Sequence, residues 1–315
     1  MNASRSLVIG SRGSQLALWQ AHFIQAKLAA LGIEARIEII KTAGDRITEL
    51  SLAVAGVQSG AGKGLFTREI EDALLAGRID LAVHSLKDLP TELPAGLTLA
   101  AIPERANPFD ALVGRRLDDL PQGARVGTSS LRRAAQLLRH RPDLDVVPLR
   151  GNVDTRLRKL DEGQCDAIVL AAAGLLRLGW SDRIEELLAP DVMCPAVGQG
   201  ALAIETREHG KGLEMCLPLD DAPTRLAVTA ERALLSTLGG GCQVPVGAFS
   251  KIEDTRLLLR AIVISPDGTQ TIAGNIESDV AQAATAGEEL GQRLLRDGAA
   301  AVLARIYDIP RDRAV

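Results

Sequence analysis

Three glycines stand directly before a thiol in the run Leu238-Gly-Gly-Gly-Cys-Gln-Val-Pro-Val-Gly. With no side chains at positions 239–241, a bulky group can approach or be attached to the Cys242 sulfur without steric conflict. The plain alternative is a helix end followed by a small buried thiol. A second constellation is acid–base in character. His84-Ser-Leu-Lys-Asp-Leu-Pro90 follows the apolar run Leu81-Ala-Val, so Lys87 and Asp88 leave a predicted strand end. At the carboxyl edge of an α/β sheet, a carboxylate can act as general acid or base, or stabilise a developing cation. An ion pair on a surface turn is the alternative there. The third constellation is a set of arginines. Between Arg115 and Arg158 lie Arg125, Arg132, Arg133, Arg139, Arg141, Arg150 and Arg156. The planar guanidinium fork recognises carboxylates and phosphates bidentately, which a lysine cannot do.

Composition narrows what those arginines serve. Aromatic residues make up 2% of the 315-residue chain and almost none interleave with the arginines, so stacked bases have no platform. A net charge of −4 argues against nucleic acid in the same direction. A small, highly anionic ligand fits better. The cysteines, Cys165, Cys194, Cys216 and Cys242, show no C-x-x-C spacing, and the four histidines are equally scattered. Neither a zinc site nor a redox pair is expected, and no metal. No apolar stretch reaches membrane-spanning length, and the N-terminus runs into a strand without a signal peptide's apolar core. The cytosol, with free thiols, is the expected compartment.

The elements that must position these groups come as a weak internal repeat. Leu7-Val-Ile-Gly10 reads as a short buried strand, and Ser11-Arg-Gly-Ser14 turns into a helix with Leu16, Trp19, Phe23 and Ala26 as its apolar face. Arg125-Val-Gly-Thr128 repeats the design, with Ser129-Ser-Leu-Arg-Arg133 opening a helix through Leu137 and Leu138. Both place hydroxyls and backbone N–H groups at a helix N-terminus, where anions are favoured. Gly77-Arg-Ile-Asp80-Leu-Ala-Val83 matches Gly163-Gln-Cys-Asp166-Ala-Ile-Val169, each a turn into a buried strand. Two related α/β domains are expected, with a ligand held in a cleft between them. Ile33, Ala35, Ile37 and Ile39 share one face of a strand. Residues 53–64, rich in Gly, Ala and Ser, read as a surface loop or lid. Crossings between domains are expected in residues 96–105 and 190–200. After Asp220 a helix through Leu226, Ala230 and Leu234, strands at 244–249 and 257–264, and a helix at about 280–296 form a separate small α+β domain carrying Cys242.

Five blocks in order, HSLKDLP, VGTSSLRR, RGNVDTRL, VGQGALAIE and GGGCQVPVGA, make the chain resemble the porphobilinogen deaminase (hydroxymethylbilane synthase) family from about Ile9 to the final helix. The resemblance implies two periplasmic-binding-protein-like α/β domains flanking a cleft plus a small third domain. The corresponding division is 1–103 with 199–219, then 104–198, then 220–315. It implies a monomeric transferase that joins four porphobilinogen units head to tail and releases ammonia each time. It further implies a dipyrromethane cofactor bound through a thioether to Cys242. Asp88 matches the family's catalytic carboxylate, facing pyrrole N–H groups and stabilising a cationic azafulvene-like intermediate, with Lys87 supporting it. Thr128, Ser129, Ser130, Arg132, Arg133, Gly174 and Gln199 match cofactor-binding positions, along with Lys87 and Asp88. Arg12, Ser14, Arg150, Arg156 and Arg177 match substrate-binding ones. The bottom-up chemistry agrees: each pyrrole carries two carboxylates, so a growing chain needs many bidentate cations.

Departures from the family pattern fall elsewhere. Residues 51–62 form a longer stretch than usual before Gly62-Lys63, Val54 stands where lysine is common, and Phe109 stands where arginine is frequent. Ser11-Arg-Gly-Ser-Gln15 also differs slightly. The competing class is a solute-binding or ligand-sensing protein for a small polycarboxylate, which shares the two-domain architecture but has no covalent group on Cys242.

Overall fold

The structure is a computed structural model that describes residues 6–43, 67–239 and 244–308, with side chains of the last helix described through residue 305. By contact the chain divides into two compact units, residues 1–105 with 201–225 and residues 106–200 with 226–315.

The first unit is built on a five-stranded sheet: β1 (Ser6–Ser11), β2 (Glu34–Ile39), β3 (Leu81–Ser85), β4 (Leu97–Ala101) and, after the chain has passed through the second unit, β10 (Leu202–Arg207). The spatial order is β2-β1-β3-β10-β4. The first three strands run parallel, and β10 is antiparallel to both its neighbours. Helices α1 (Gln15–Ala30) and α2 (Arg68–Leu75) belong to this unit. The second unit holds β5 (Asp110–Val113), β6 (Arg125–Gly127), α3 (Leu131–His140), β7 (Asp145–Val147), α4 (Val153–Asp161), β8 (Ala167–Ala171), α5 (Ala172–Arg177) and β9 (Glu186–Leu187). Its sheet order, β7-β6-β8-β5-β9, repeats the same pattern: three parallel strands, then a fourth that is antiparallel to both its neighbours, so that the fifth runs with the first three.

The repeat extends to individual hydrogen bonds. Asp80 accepts the Val8 N–H at 2.9 Å, and its own N–H donates to the Val8 carbonyl at 2.8 Å. Asp166 accepts the Arg125 N–H at 2.7 Å and donates to the Arg125 carbonyl at 2.8 Å. In both copies the carboxylate adds one rung to the start of a parallel ladder, where a backbone group would otherwise be unpaired. The preceding Gly77 and Gly163 have φ of 71° and 74°, the left-handed conformation that lets the helix end and the strand begin. Ser14 caps α1 through the Ala17 N–H, and Ser130 caps α3 through the Arg133 N–H.

Two details depart from the sequence pattern. The buried face of α1 is Gln20, Ala21, Ile24 and Leu28, not Leu16, Trp19, Phe23 and Ala26. Trp19 and Phe23 instead stack on each other with centroids 5.2 Å apart, and Lys27 lies over the Phe23 ring. The two rings are only partly buried, while smaller aliphatic groups meet the sheet. On β2, Ala35 and Ile37 pack against the core but Ile39 is 57% exposed, because β2 is an edge strand. The expected loop at 53–64 lies outside the described residues.

The second unit also contains α7 (Ala222–Thr237) in large part, the antiparallel sheet β11 (Val246–Glu253), β12 (Arg256–Ile264) and β13 (Thr271–Asp279), and helices α8 (Ala283–Leu294) and α9 (Ala300–Asp308). A short α6 (Lys211–Cys216) precedes α7 in the first unit. The sequence pattern does not predict strand β13, since Ile272 and Ile276 are its sole large apolar residues and stand four apart, a helical spacing. Helix α8 approaches α7 so closely that a Cβ on Gly287 would stand 2.2 Å from the Ala230 carbonyl oxygen.

Two buried carboxylates organise this unit. Asp110, fully buried, accepts from Arg132 Nη1 at 2.8 Å, Arg133 Nε at 3.0 Å and Gln199 Nε2 at 3.0 Å. Arg132 also donates to the Cys194 carbonyl, and Arg133 to the Val169 carbonyl. Glu231 on α7 accepts from the Gly198 N–H at 2.7 Å and from the Ser250 N–H and hydroxyl. These bonds tie the segment at 198–199 to β5 on one side and to α7 and β11 on the other.

Removing one partner of such a buried cluster leaves charge uncompensated, at a cost of about 3–5 kcal/mol. Asp110→Ala should lower unfolding stability by that amount in chemical denaturation, even though it removes no apolar contact. Gly287→Ala, which forces α8 away from α7, should cost about 1–3 kcal/mol by the same measurement. A Gly287→Ala protein as stable as the parent would mean the two helices are not in this register.

Candidate active site

In the first unit, neighbouring parallel strands bring two turns together. β1 ends at Ser11 and α1 starts at Gln15, so the turn between them carries Arg12 and Ser14. β3 ends at Ser85 and passes into a single 3-10 turn, Leu86–Asp88. The pairing Ile9↔Leu81 and Gly10↔Ala82 sets these turns side by side at the carboxyl edge of the sheet. Buried Leu86 anchors the 3-10 turn, its N–H donating to the Ala201 carbonyl, which leaves Lys87 half-buried and Asp88 exposed.

Arg12, Ser14, Gln20, Ser85 and Asp88 line one pocket there, with Thr67, Ile70, Val83 and His84 forming more of its wall. Three of the expected site residues, Arg12, Ser14 and Asp88, thus converge. Sequence reasoning missed Gln20, which donates to Ser85 Oγ at 2.9 Å and is 3% exposed. Its signal in the sequence is a polar residue one position after Trp19, hidden because the apolar pattern of α1 points to Leu16, Trp19, Phe23 and Ala26 as the core face. The pocket lining combines a guanidinium, hydroxyls and an amide with a carboxylate. That combination can bind a carboxylated ring and hold negative charge beside a forming cation.

In the second unit the equivalent turns carry a different set. Thr128 is buried and accepts the Ser130 N–H at 3.2 Å; Ser130 caps α3, and Ser129 is exposed. Arg132, Arg133 and Gln199 are the residues gathered on Asp110, so part of their donor capacity is already committed within the unit. Gly174 is buried in α5. Arg150 is exposed, while Arg156 donates to the Gly151 carbonyl and Arg177 to the Gly200 carbonyl, each half-buried. Burial lowers the Arg177 guanidinium to about 10, which leaves it charged at neutral pH. Phe109, where the family pattern often has arginine, packs against Phe249 with ring centroids 5.4 Å apart.

The described cysteines are poor attachment points. Cys165, Cys194 and Cys216 are all buried, and burial raises each thiol, Cys194 and Cys216 to about 12. At neutral pH they are therefore thiols, not the nucleophilic thiolate. Cys242 and Lys63 lie outside the described residues. Among the described residues no His, Cys, Asp or Glu cluster could hold a metal ion, and no helix is long and apolar enough to cross a membrane.

Comparison with known proteins adds an independent line. The profile described as "Porphobilinogen deaminase, dipyromethane cofactor binding domain" matches residues 7–214, and that of "Porphobilinogen deaminase, C-terminal domain" matches residues 225–296. Curated relatives named porphobilinogen deaminase include one from Syntrophotalea carbinolica, 51% identical over 98% of this chain and 98% of its own length. Others are from Desulforudis audaxviator, 52% identical over 96% and 98%, and Syntrophobacter fumaroxidans, 48% identical over 96% and 98%. Among solved structures, the methionine-binding protein MetQ is 14% identical with a TM-score of 0.42, covering 69% of this chain and 90% of that one. That distant likeness carries no weight beside the topology described above. With profiles matched along most of its length and relatives at about half identity from end to end, the chain belongs to the porphobilinogen deaminase family.

Proposed function

We propose that the pocket of the first unit is where porphobilinogen loses ammonia, with Asp88 as the working carboxylate and Lys87 beside it. The chain is a porphobilinogen deaminase, a transferase of tetrapyrrole biosynthesis that uses a dipyrromethane cofactor. The observation that carries the site assignment is the convergence of Asp88, Arg12, Ser14 and Gln20 on one pocket at the carboxyl edge of a sheet. The binding-protein alternative has no comparable support.

The residues fit a polycarboxylate cofactor. Donors at the two helix N-termini and a surplus of arginine suit acetate and propionate groups, and the glycine-flanked Cys242 suits a thioether. When bound, that cofactor supplies a pyrrole carbon nucleophile and a primer of defined length. Thr128, Ser129, Ser130, Arg132, Arg133, Gly174, Gln199, Lys87 and Asp88 are the residues assigned to it in this reading. The partial commitment of Arg132 and Arg133 to Asp110 fits a preorganised site, because guanidinium groups already held in place lose little entropy on binding.

For substrate, Arg12 and Ser14 take a carboxylate, and Arg150, Arg156 and Arg177 serve the later rings. Asp88 accepts from the pyrrole N–H, and its charge stabilises the cation that forms as the carbon–nitrogen bond breaks and ammonia leaves. In the same reading Asp88 helps protonate the departing amine, so that it leaves as ammonia, and then takes up the proton lost from the ring carbon when the new bond is made. The reading includes the cytosol as compartment and a single chain as the working unit. It also keeps the division 1–103 with 199–219, 104–198 and 220–315; the three separate sheets support it.

Two measurements test this assignment. Intact mass of the purified protein should show a covalent two-pyrrole addition that disappears in Cys242→Ser, together with activity; a fully active Cys242→Ser enzyme sinks the attachment site. Asp88→Asn should retain the added mass yet lose on the order of two or more decades in kcat, as expected when charge stabilisation at a reacting centre is removed. Near-normal turnover in Asp88→Asn would make the carboxylate a surface group only.

A further inference from the structure

A buried polar cluster lies behind the pocket of the first unit. His84 on β3 and Glu205 on the adjacent β10 approach with Nε2 3.0 Å from Oε2, at 7% and 0% side-chain exposure. Apart from that approach, neither Glu205 oxygen nor His84 Nε2 has a hydrogen-bond partner among the described residues. Glu71 reaches the same region from α2. Its burial, opposed by the Thr67 hydroxyl and reinforced by the charge of Glu205, pushes its carboxyl above the ordinary range. Two members of this neighbourhood, Thr67 and His84, also line the pocket that contains Asp88.

Other charges around the cluster are few. Helix α2 adds Asp72, and β10 adds Arg207, which donates to the Leu74 and Ile79 carbonyls and stands 3.6 Å from Asp80. The pocket side adds Arg12 and Asp88, while β1 and β4 contribute no ionisable side chain. Stability alone does not call for this arrangement. Buried carboxylates with so few donors are costly, and apolar side chains of similar volume would pack at lower cost. What the cluster does hold is the end of the strand from which Lys87 and Asp88 extend.

We propose that Glu71, His84 and Glu205 are positioning residues for Asp88. Glu205 fixes the imidazole at the end of β3, and Glu71 closes the cluster from α2, so that the 3-10 turn at Leu86–Asp88 keeps one position in the pocket wall. This rests on the reading of Asp88 as the working carboxylate.

The test uses full-length, cofactor-loaded enzyme with Glu205→Gln, Glu71→Gln and Glu71→Asp, measuring intact mass, melting temperature, and kcat and KM for porphobilinogen across pH. Both glutamine variants should load cofactor, melt within about 3 °C of the parent or above it, and keep KM within about threefold. Their kcat should fall by about ten- to a hundredfold, the scale of a small misplacement of a reacting group. The pH profile gives a readout that bulk stability does not move. In the parent, Glu71 gains a negative charge as pH rises through its raised range, so the corresponding limb of kcat should vanish in Glu71→Gln and persist in Glu71→Asp. Two results overturn the proposal: kcat within about twofold of the parent in both glutamine variants, or a kcat loss that merely parallels lost cofactor and lower melting temperature. Asp88→Asn, measured alongside, separates the failures. Near-normal turnover there overturns the catalytic reading beneath the proposal, whereas its loss with unaffected glutamine variants overturns positioning alone.

Discussion

The buried carboxylate of Asp110 is the interaction on which most of the second unit depends. One side chain on a short strand neutralises two arginines from the first turn of α3 and receives the amide of Gln199. A buried cation without that partner would be expensive, and two adjacent ones more so. The carbonyls of Cys194 and Val169 accept further donors of the same guanidinium groups, so the helix N-terminus, β5, β8 and the segment around residue 194 share one network. Arginines that the sequence presents as ligand-binding candidates are therefore part of the framework as well.

The same economy of means appears in the duplicated sheets. Asp80 and Asp166 each complete the start of a parallel pair, after a glycine with positive φ. From that common frame the two copies diverge at the carboxyl edge. In the first unit the strand end passes into a 3-10 turn bearing Lys87 and Asp88; in the second it passes directly into α5, with Gly174 inside it. A shared scaffold thus presents a carboxylate in one unit and a small residue in the other. Equivalent positions of the two sheets therefore differ in charge and in bulk while the scaffold beneath them stays the same.

Burial also sorts the cysteines. A thiol raised to about 12, as Cys194 and Cys216 are, stays protonated and inert at neutral pH. Such residues act as small apolar groups in the cores, and Cys194 contributes its backbone carbonyl and N–H to the Gln136 and Arg132 contacts. Chemistry on sulfur is thereby restricted by environment, in a chain whose overall composition gives no such hint.

Local signals were legible wherever a residue type is demanded by backbone geometry or by chemistry. The caps Ser14 and Ser130, the turns at Gly77 and Gly163, and the strand end before Lys87 and Asp88 follow from short-range rules that hold in any context. The ordered motif blocks carried the family. Other features were decided by tertiary structure, because they depend on which surfaces meet. The buried face of α1 shifted so that Gln20 could reach Ser85 and small aliphatic groups could face the sheet, while Trp19 and Phe23 paired with each other. Strand β13 formed from a sequence with little apolar alternation, because β12 offers a full antiparallel ladder to pair with. The partners of Arg132 and Arg133, and the meeting of His84, Glu71 and Glu205, join residues between 13 and 134 positions apart. No local pattern encodes such contacts; they exist only once the strands are in register.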